Sequence, residues 1–124
     1  MNRGPDTLDP VAPFKLTIRH GPKVSRERHE TLEGAVESMR EHVSRIRREG
    51  NLPEVKMFRT YEAGDRVNAR LEISTGRMLR SRDAGIDVMG DGGIVAFRGG
   101  VARSPLEPSD GESPFELVAE ALAG

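Results

Sequence analysis

The histidines and the carboxylates beside them are the first residues to question for chemistry. His29 and Glu30 are followed by Glu33, an H-E-x-x-E string. A zincin helix carries a second histidine at the last position of that string and needs a third ligand as well. Glu33 stands where that histidine would be, and His29 falls before the helix predicted below, so the two do not share a helical face. His20 ends a strand pattern, and His42 borders an apolar helical stripe. The serines include no G-x-S-x-G elbow and none is paired with a histidine in sequence. With no cysteine, thiolate metal sites, cysteine nucleophiles and disulfides are excluded. The glycine-rich run GDGGIVAFRGG, residues 90–100, leads into a β-like segment. A phosphate loop needs G-x-x-x-x-G-K-[ST] entering a helix, so hairpin turns account better for these glycines. No catalytic residue, metal ligand or cofactor site is assigned.

The arginines are the remaining lead. Of the 19 cations, 16 are Arg and three are Lys. Arg suits phosphate and carboxylate recognition, although codon bias produces the same excess. Arg66 and Arg70 fall on the polar side of the clearest strand pattern. Arg77, Arg80, Arg82, Arg98 and Arg103 lie in the same half of the chain. Together they would form an Arg-bearing sheet face able to contact nucleic-acid phosphates. Glu72, Asp83 and Asp87 are interspersed among them, and with 4% aromatic residues few rings are available to stack bases.

These side chains must be held by something, and the stretch Thr31–Gly50 is the clearest element. Leu32, Ala35, Val36, Met39, Val43 and Ile46 recur at three- and four-residue steps, one stripe of an α-helix. Thr31 is placed to cap the N-terminus, and Gly50 to end the helix in a left-handed conformation. Glu30, Glu33 and Glu37 near the start and Arg45, Arg47 and Arg48 near the end complement the helix dipole. Glu41 and Arg45 have the spacing of an ion pair. Helix stability thus accounts for the charges without a basic binding helix. One apolar stripe means that the helix must lie on a sheet.

Strand patterns surround it. Phe14, Leu16, Ile18 and His20 alternate with Lys15, Thr17 and Arg19. Gly21-Pro22 predicts a turn, and the polar stretch Val24–Glu30 a return strand at a sheet edge, where charge opposes pairing with another chain. After the helix, Val55–Glu62 reads as a central strand, Ala63-Gly64-Asp65 as a turn, and Arg66–Thr75 as a strand with Val67, Ala69, Leu71 and Ile73 inward. Short strands are expected around Met78–Leu79, Ile86–Met89, Ile94–Phe97 and Val101–Ala102, with Asp91-Gly92 as a two-residue hairpin turn. Ser113 and Glu116 have capping-box spacing around Pro114, and open a helix running to Gly124. The expected fold is α+β. An antiparallel sheet carries one long amphipathic helix on a face, with a short C-terminal helix docked nearby, in the order ββα-ββ(βββ)-α.

Composition sets the remaining bounds. A chain of 124 residues corresponds to one domain. Residues 1–12 read as a disordered arm, and 13–124 as the folded unit. No apolar run is long enough for a membrane span, and MNRGPDTLDPVAP has no secretory h-region, which points to a cytoplasmic location. Charge is uneven: residues 13–105 carry 18 cations and 13 acids, and residues 106–124 carry five acids and no cation. That acidic segment is a candidate to lie over the basic sheet, in the same chain or in a second copy. The functional expectation is a small non-enzymatic binding module with a protein partner or with itself. Nucleic-acid binding through the Arg face is the alternative, and an enzyme with a site assembled from distant residues is the second alternative.

Overall fold

In the computed structural model the residues described are 12–50, 66–76, 82–99, 104–106 and 113–123. Strand β1 (Phe14–His20) pairs antiparallel with β2 (Lys23–His29), and helix α1 (Leu32–Glu49) follows. Then come β3 (Val67–Thr75), β4 (Arg82–Met89), β5 (Ile94–Arg98), the short β6 (Ser104–Pro105) and helix α2 (Pro114–Ala123). The six strands form one antiparallel sheet in the order β2-β1-β3-β4-β5-β6. The fold is α+β as expected. The predicted strand Val55–Glu62, the turn Ala63-Gly64-Asp65, the strands at Met78–Leu79 and Val101–Ala102, and all of the predicted arm except Ala12 lie outside the described residues.

The β1–β2 turn is set by two residues. His20 pairs with Lys23, so Gly21 and Pro22 are the whole loop, and Gly21 has φ 62°. A positive φ at the first central position is what a II′ hairpin turn demands, and glycine adopts it without steric cost. This turn fixes every later pairing: Ile18 meets Ser25, Leu16 meets Glu27 and Phe14 meets His29. Among the described residues β2 has no strand on its other side, which places it at the predicted edge.

Both helices lie on one face of the sheet, α1 over β1, β2 and β3, and α2 over β4 and β5. Ala35, Met39, Val43 and Ile46 of α1 are buried against Leu16, Ile18, Leu71 and Ile73. Phe115, Val118 and Leu122 of α2 join the same core, with Ala84, Ile86, Val88, Ile94 and Ala96 below them. Each fully buried aliphatic side chain contributes about 1.5–3 kcal/mol, so this stripe-to-sheet contact dominates the fold. Both caps form. Thr31 Oγ1 accepts from Gly34 N at 3.0 Å. Ser113 Oγ accepts from Glu116 N at 3.2 Å, while Glu116 Oε1 accepts from Ser113 N at 3.0 Å, a reciprocal capping box.

Four local expectations are corrected. Gly50 has φ −85° and is right-handed; its N–H still reaches the Ile46 carbonyl at 3.0 Å, so no left-handed residue is needed there. Arg45 donates forward to Glu49 at 3.1 Å, so the pair it makes is not with Glu41. Val67 is 43% exposed, because a register shift between Val67 and Ala69 breaks the alternation that would have turned it inward. The β4–β5 loop has three residues rather than two. Gly92 N reaches Met89 O at 2.9 Å, Met89 N reaches Gly93 O at 2.8 Å, and Gly92 takes φ 88°, the turn-plus-bulge arrangement.

Candidate functional site

Strand alternation gives the sheet a second face, away from the helices. Because Leu16 and Ile18 point into the core, Lys15, Thr17 and Arg19 point outward. Register then places Arg28 beside Lys15, Arg26 beside Thr17 and Val24 beside Arg19. The outer face of this hairpin therefore carries Lys15, Arg19, Arg26 and Arg28, with no acid among them. Arg19 and Arg26 are exposed, and Lys15 and Arg28 partly so. Lys15 and Arg19 are four residues apart on one strand, about 13 Å.

The outer face changes sign at β3 and β4. Arg70 lies between Arg19 on β1 and Asp87 on β4. Its Nε and one terminal nitrogen donate to the two oxygens of Asp87 at 2.6 and 2.8 Å. Asp87 is fully buried and Arg70 is 27% exposed on its side chain. The guanidinium also sits 5.4 Å from the centre of the Phe97 ring. A bidentate pair of this kind satisfies the carboxylate and fixes the fork. Arg70 is thus held by the sheet itself, while Glu72 and Asp83 line the same half of the face.

The other predicted site arginines are scattered. Arg66 is exposed just before β3, and its carbonyl accepts from Gly90 N at 2.8 Å. Arg82 is exposed at the start of β4. Arg98 is exposed at the end of β5, opposite Ala84, so its register position belongs to the helix-covered side. Arg77, Arg80 and Arg103 lie outside the described residues. The four hairpin cations were not grouped in the sequence reading, although a two-residue Gly-Pro turn was a sufficient signal. It sets the pairing, and the pairing sets the parity of Arg26 and Arg28.

On the helix side, the same hairpin holds a polar seam. Glu27 points from β2 toward α1 and accepts three hydrogen bonds. Ser38 Oγ donates to Oε1 at 2.5 Å, His29 Nε2 donates to Oε1 at 2.9 Å, and His42 Nε2 donates to Oε2 at 2.6 Å. Arg45 donates to His42 Nδ1 at 2.9 Å. Arginine can only donate, so Nδ1 must accept and the ring proton sits on Nε2, facing the carboxylate. Burial alone would raise the Glu27 carboxyl. The bonds from Ser38, His42 and His29 outweigh it and hold the group at about 2.

The order of groups in this seam limits its chemistry. A nucleophile relay needs serine on histidine and histidine on carboxylate. Here serine and both histidines converge on the carboxylate, so no imidazole touches Ser38, and a carboxylate held at about 2 is a weak base for its hydroxyl. With its proton on Nε2, His42 has no lone pair to offer a metal beside Glu27. Among the described residues no group of three or more histidine or acidic side chains could hold a metal ion. The seam is a lock between edge strand and helix.

The acidic C-terminal helix does not lie over the basic face. Helix α2 packs on the opposite side of the sheet, against β4, β5 and α1, with Glu116 and Glu120 exposed there. Glu107, Asp110 and Glu112 lie outside the described residues. No helix among the described residues is long and apolar enough to cross a membrane. A scan against family models and searches of curated proteins and solved structures found no match to this chain.

Proposed function

We propose that the chain is a small non-enzymatic binding module whose ligand is the phosphate backbone of double-stranded nucleic acid, held on the outer face of the β1–β2 hairpin. The observation that carries this reading is the charge of that face: Lys15, Arg19, Arg26 and Arg28, with the one acid of the two strands, Glu27, turned to the helix side. Lys15, Arg19 and Arg26 make no ion pair among the described residues, so their charge is available to a ligand. A phosphate backbone is the common ligand that rewards a basic patch of this kind, through counterion release. Duplex is favoured over single strand because single-strand binding draws on aromatic stacking. Among the described residues, Phe97 and Phe115 are buried, and Phe14 packs partly buried against the core. Binding of this kind reads backbone and shape and carries little sequence preference.

Fluorescence anisotropy with mixed-sequence duplexes across a salt series tests it. Three phosphate contacts, from Lys15, Arg19 and Arg26, predict a slope of about −2.7 in log K against log salt. The double variant Arg19→Glu/Arg26→Glu removes binding, whereas Arg66→Glu/Arg82→Glu leaves most of it. Equal affinity in the hairpin double variant and the parent chain would sink this reading.

A further inference from the structure

The tip of the hairpin has a second surface, on the helix side, that the duplex reading does not use. His20 and Lys23 close the hairpin as a register pair, and both belong to the face on which Leu16 and Ile18 meet α1. Arg45 reaches down from α1 toward them. Two adjoining open depressions, of about 240 and 440 Å³, share His20, Lys23 and Arg45 in their walls. Ser25 borders the first, and Asn68, from the neighbouring β3, borders the second.

We infer that this concavity is a binding site for a phosphomonoester group, contacted by Arg45, Lys23 and His20 with Ser25 and Asn68 as further donors. Arg45 is held in place before any ligand arrives. One terminal nitrogen donates to Glu49 at 3.1 Å and the other to His42 Nδ1 at 2.9 Å. A guanidinium has five N–H groups, so three remain for an anion. Its fork matches phosphate oxygens, and Lys23 supplies a mobile point charge. Glu49 is the one acid in the walls, against the fixed charges of Arg45 and Lys23. Five side chains able to donate match the several oxygens of a phosphomonoester better than the two of a carboxylate. The openness of the site suits a terminal group whose remainder stays in solvent. The site is separate from the duplex face, because strand parity sends Lys23 to the helix side and Arg26 and Arg28 to the other.

The probe is inorganic phosphate, titrated into 15N-labelled protein at constant ionic strength against chloride. The expected result is saturable shifts confined to the amides of His20, Lys23, Ser25 and Asn68 and to the Arg45 side chain. Lys23→Ala, an exposed position, weakens phosphate binding about three- to fivefold, as loss of one rim charge should. Arg19→Glu/Arg26→Glu leaves it unchanged, so failure here is distinct from failure of the duplex reading. Shifts that chloride reproduces, or shifts centred on Lys15, Arg19 and Arg26, would overturn the site. Duplexes with 5′-phosphate and 5′-hydroxyl ends then identify the source. Tighter binding of the phosphorylated end, lost in Lys23→Ala, assigns a nucleic-acid terminus. Saturation by phosphate with no preference between the ends assigns a free phosphomonoester.

Discussion

His42 of α1 lies 2.6 Å from Glu27 of the edge strand, nitrogen to oxygen, and the contact is directional at both ends. Arg45 fixes which histidine nitrogen carries the proton, and the II′ turn fixes which face of β2 carries Glu27. A slip of β2 by one residue would turn Glu27 outward and bring Arg26 or Arg28 against α1. The pair thus reports whether the hairpin has its native register.

Removing that carboxylate should be felt even though Glu27 is about one-third exposed. Glu27→Ala leaves Ser38 and the two histidine N–H groups without their acceptor. The expected loss is about 1–2 kcal/mol, toward the low end of the range for an unsatisfied polar group because solvent can replace part of the bond. Urea unfolding with an unchanged m-value is the check. A loss below a few tenths would mean that the seam is solvated.

The same group gives a pH dependence of known sign. Its folded value, about 2, lies below the ordinary 4.5. A depressed carboxylate contributes stability that is fully present above 4.5 and is lost as pH falls from there through about 2. The stability gap between the parent chain and Glu27→Gln should therefore be constant from neutral pH down to about 5 and close between about 5 and 2. A gap independent of pH would show that the carboxylate is not held in its charged form.

Gly85 is required by close approach rather than by backbone angle. A Cβ there would strike the Leu71 carbonyl oxygen and come within 2.9 Å of both Glu72 Cα and Phe97 Cζ. Backbone cannot move aside cheaply in the middle of a sheet. Gly85→Ala should cost about 3 kcal/mol or more, visible as a fall in thermal midpoint or as insoluble protein.

Asp87 and Arg70 should behave as a unit. Asp87→Ala removes a fully buried acceptor from the partly exposed Arg70 guanidinium and should cost about 3 kcal/mol, at the low end for a broken buried pair because solvent reaches the cation. The double change Asp87→Ala/Arg70→Met should cost less than the sum of the two single changes, a coupling that a double-mutant cycle in urea would measure. Arg70→Glu would place a second carboxylate against Asp87. It is therefore a stability change as well as a charge change, and is unsuitable for testing ligand binding alone.

Everything that repeats locally is legible in the order of residues. The three- and four-residue spacing from Leu32 to Ile46 defines α1 and its buried side, because a helix brings those positions onto one stripe whatever it packs on. The capping box at Ser113 and Glu116, the turn at Gly21-Pro22 and the inward residues of β1 and, from Ala69 onward, of β3 follow from equally short-range geometry. Which polar residues meet is a matter of long-range packing. Arg70 looked like one of several outward cations; β4 placed next to β3 makes it the partner of a buried aspartate. Glu27 read as edge charge, and His42 as a boundary residue. Strand order sets both against each other, 15 residues apart in the chain. Such pairings depend on register and on which helix covers which strand. Those are settled by burying one continuous core, a property of the whole chain rather than of any window along it.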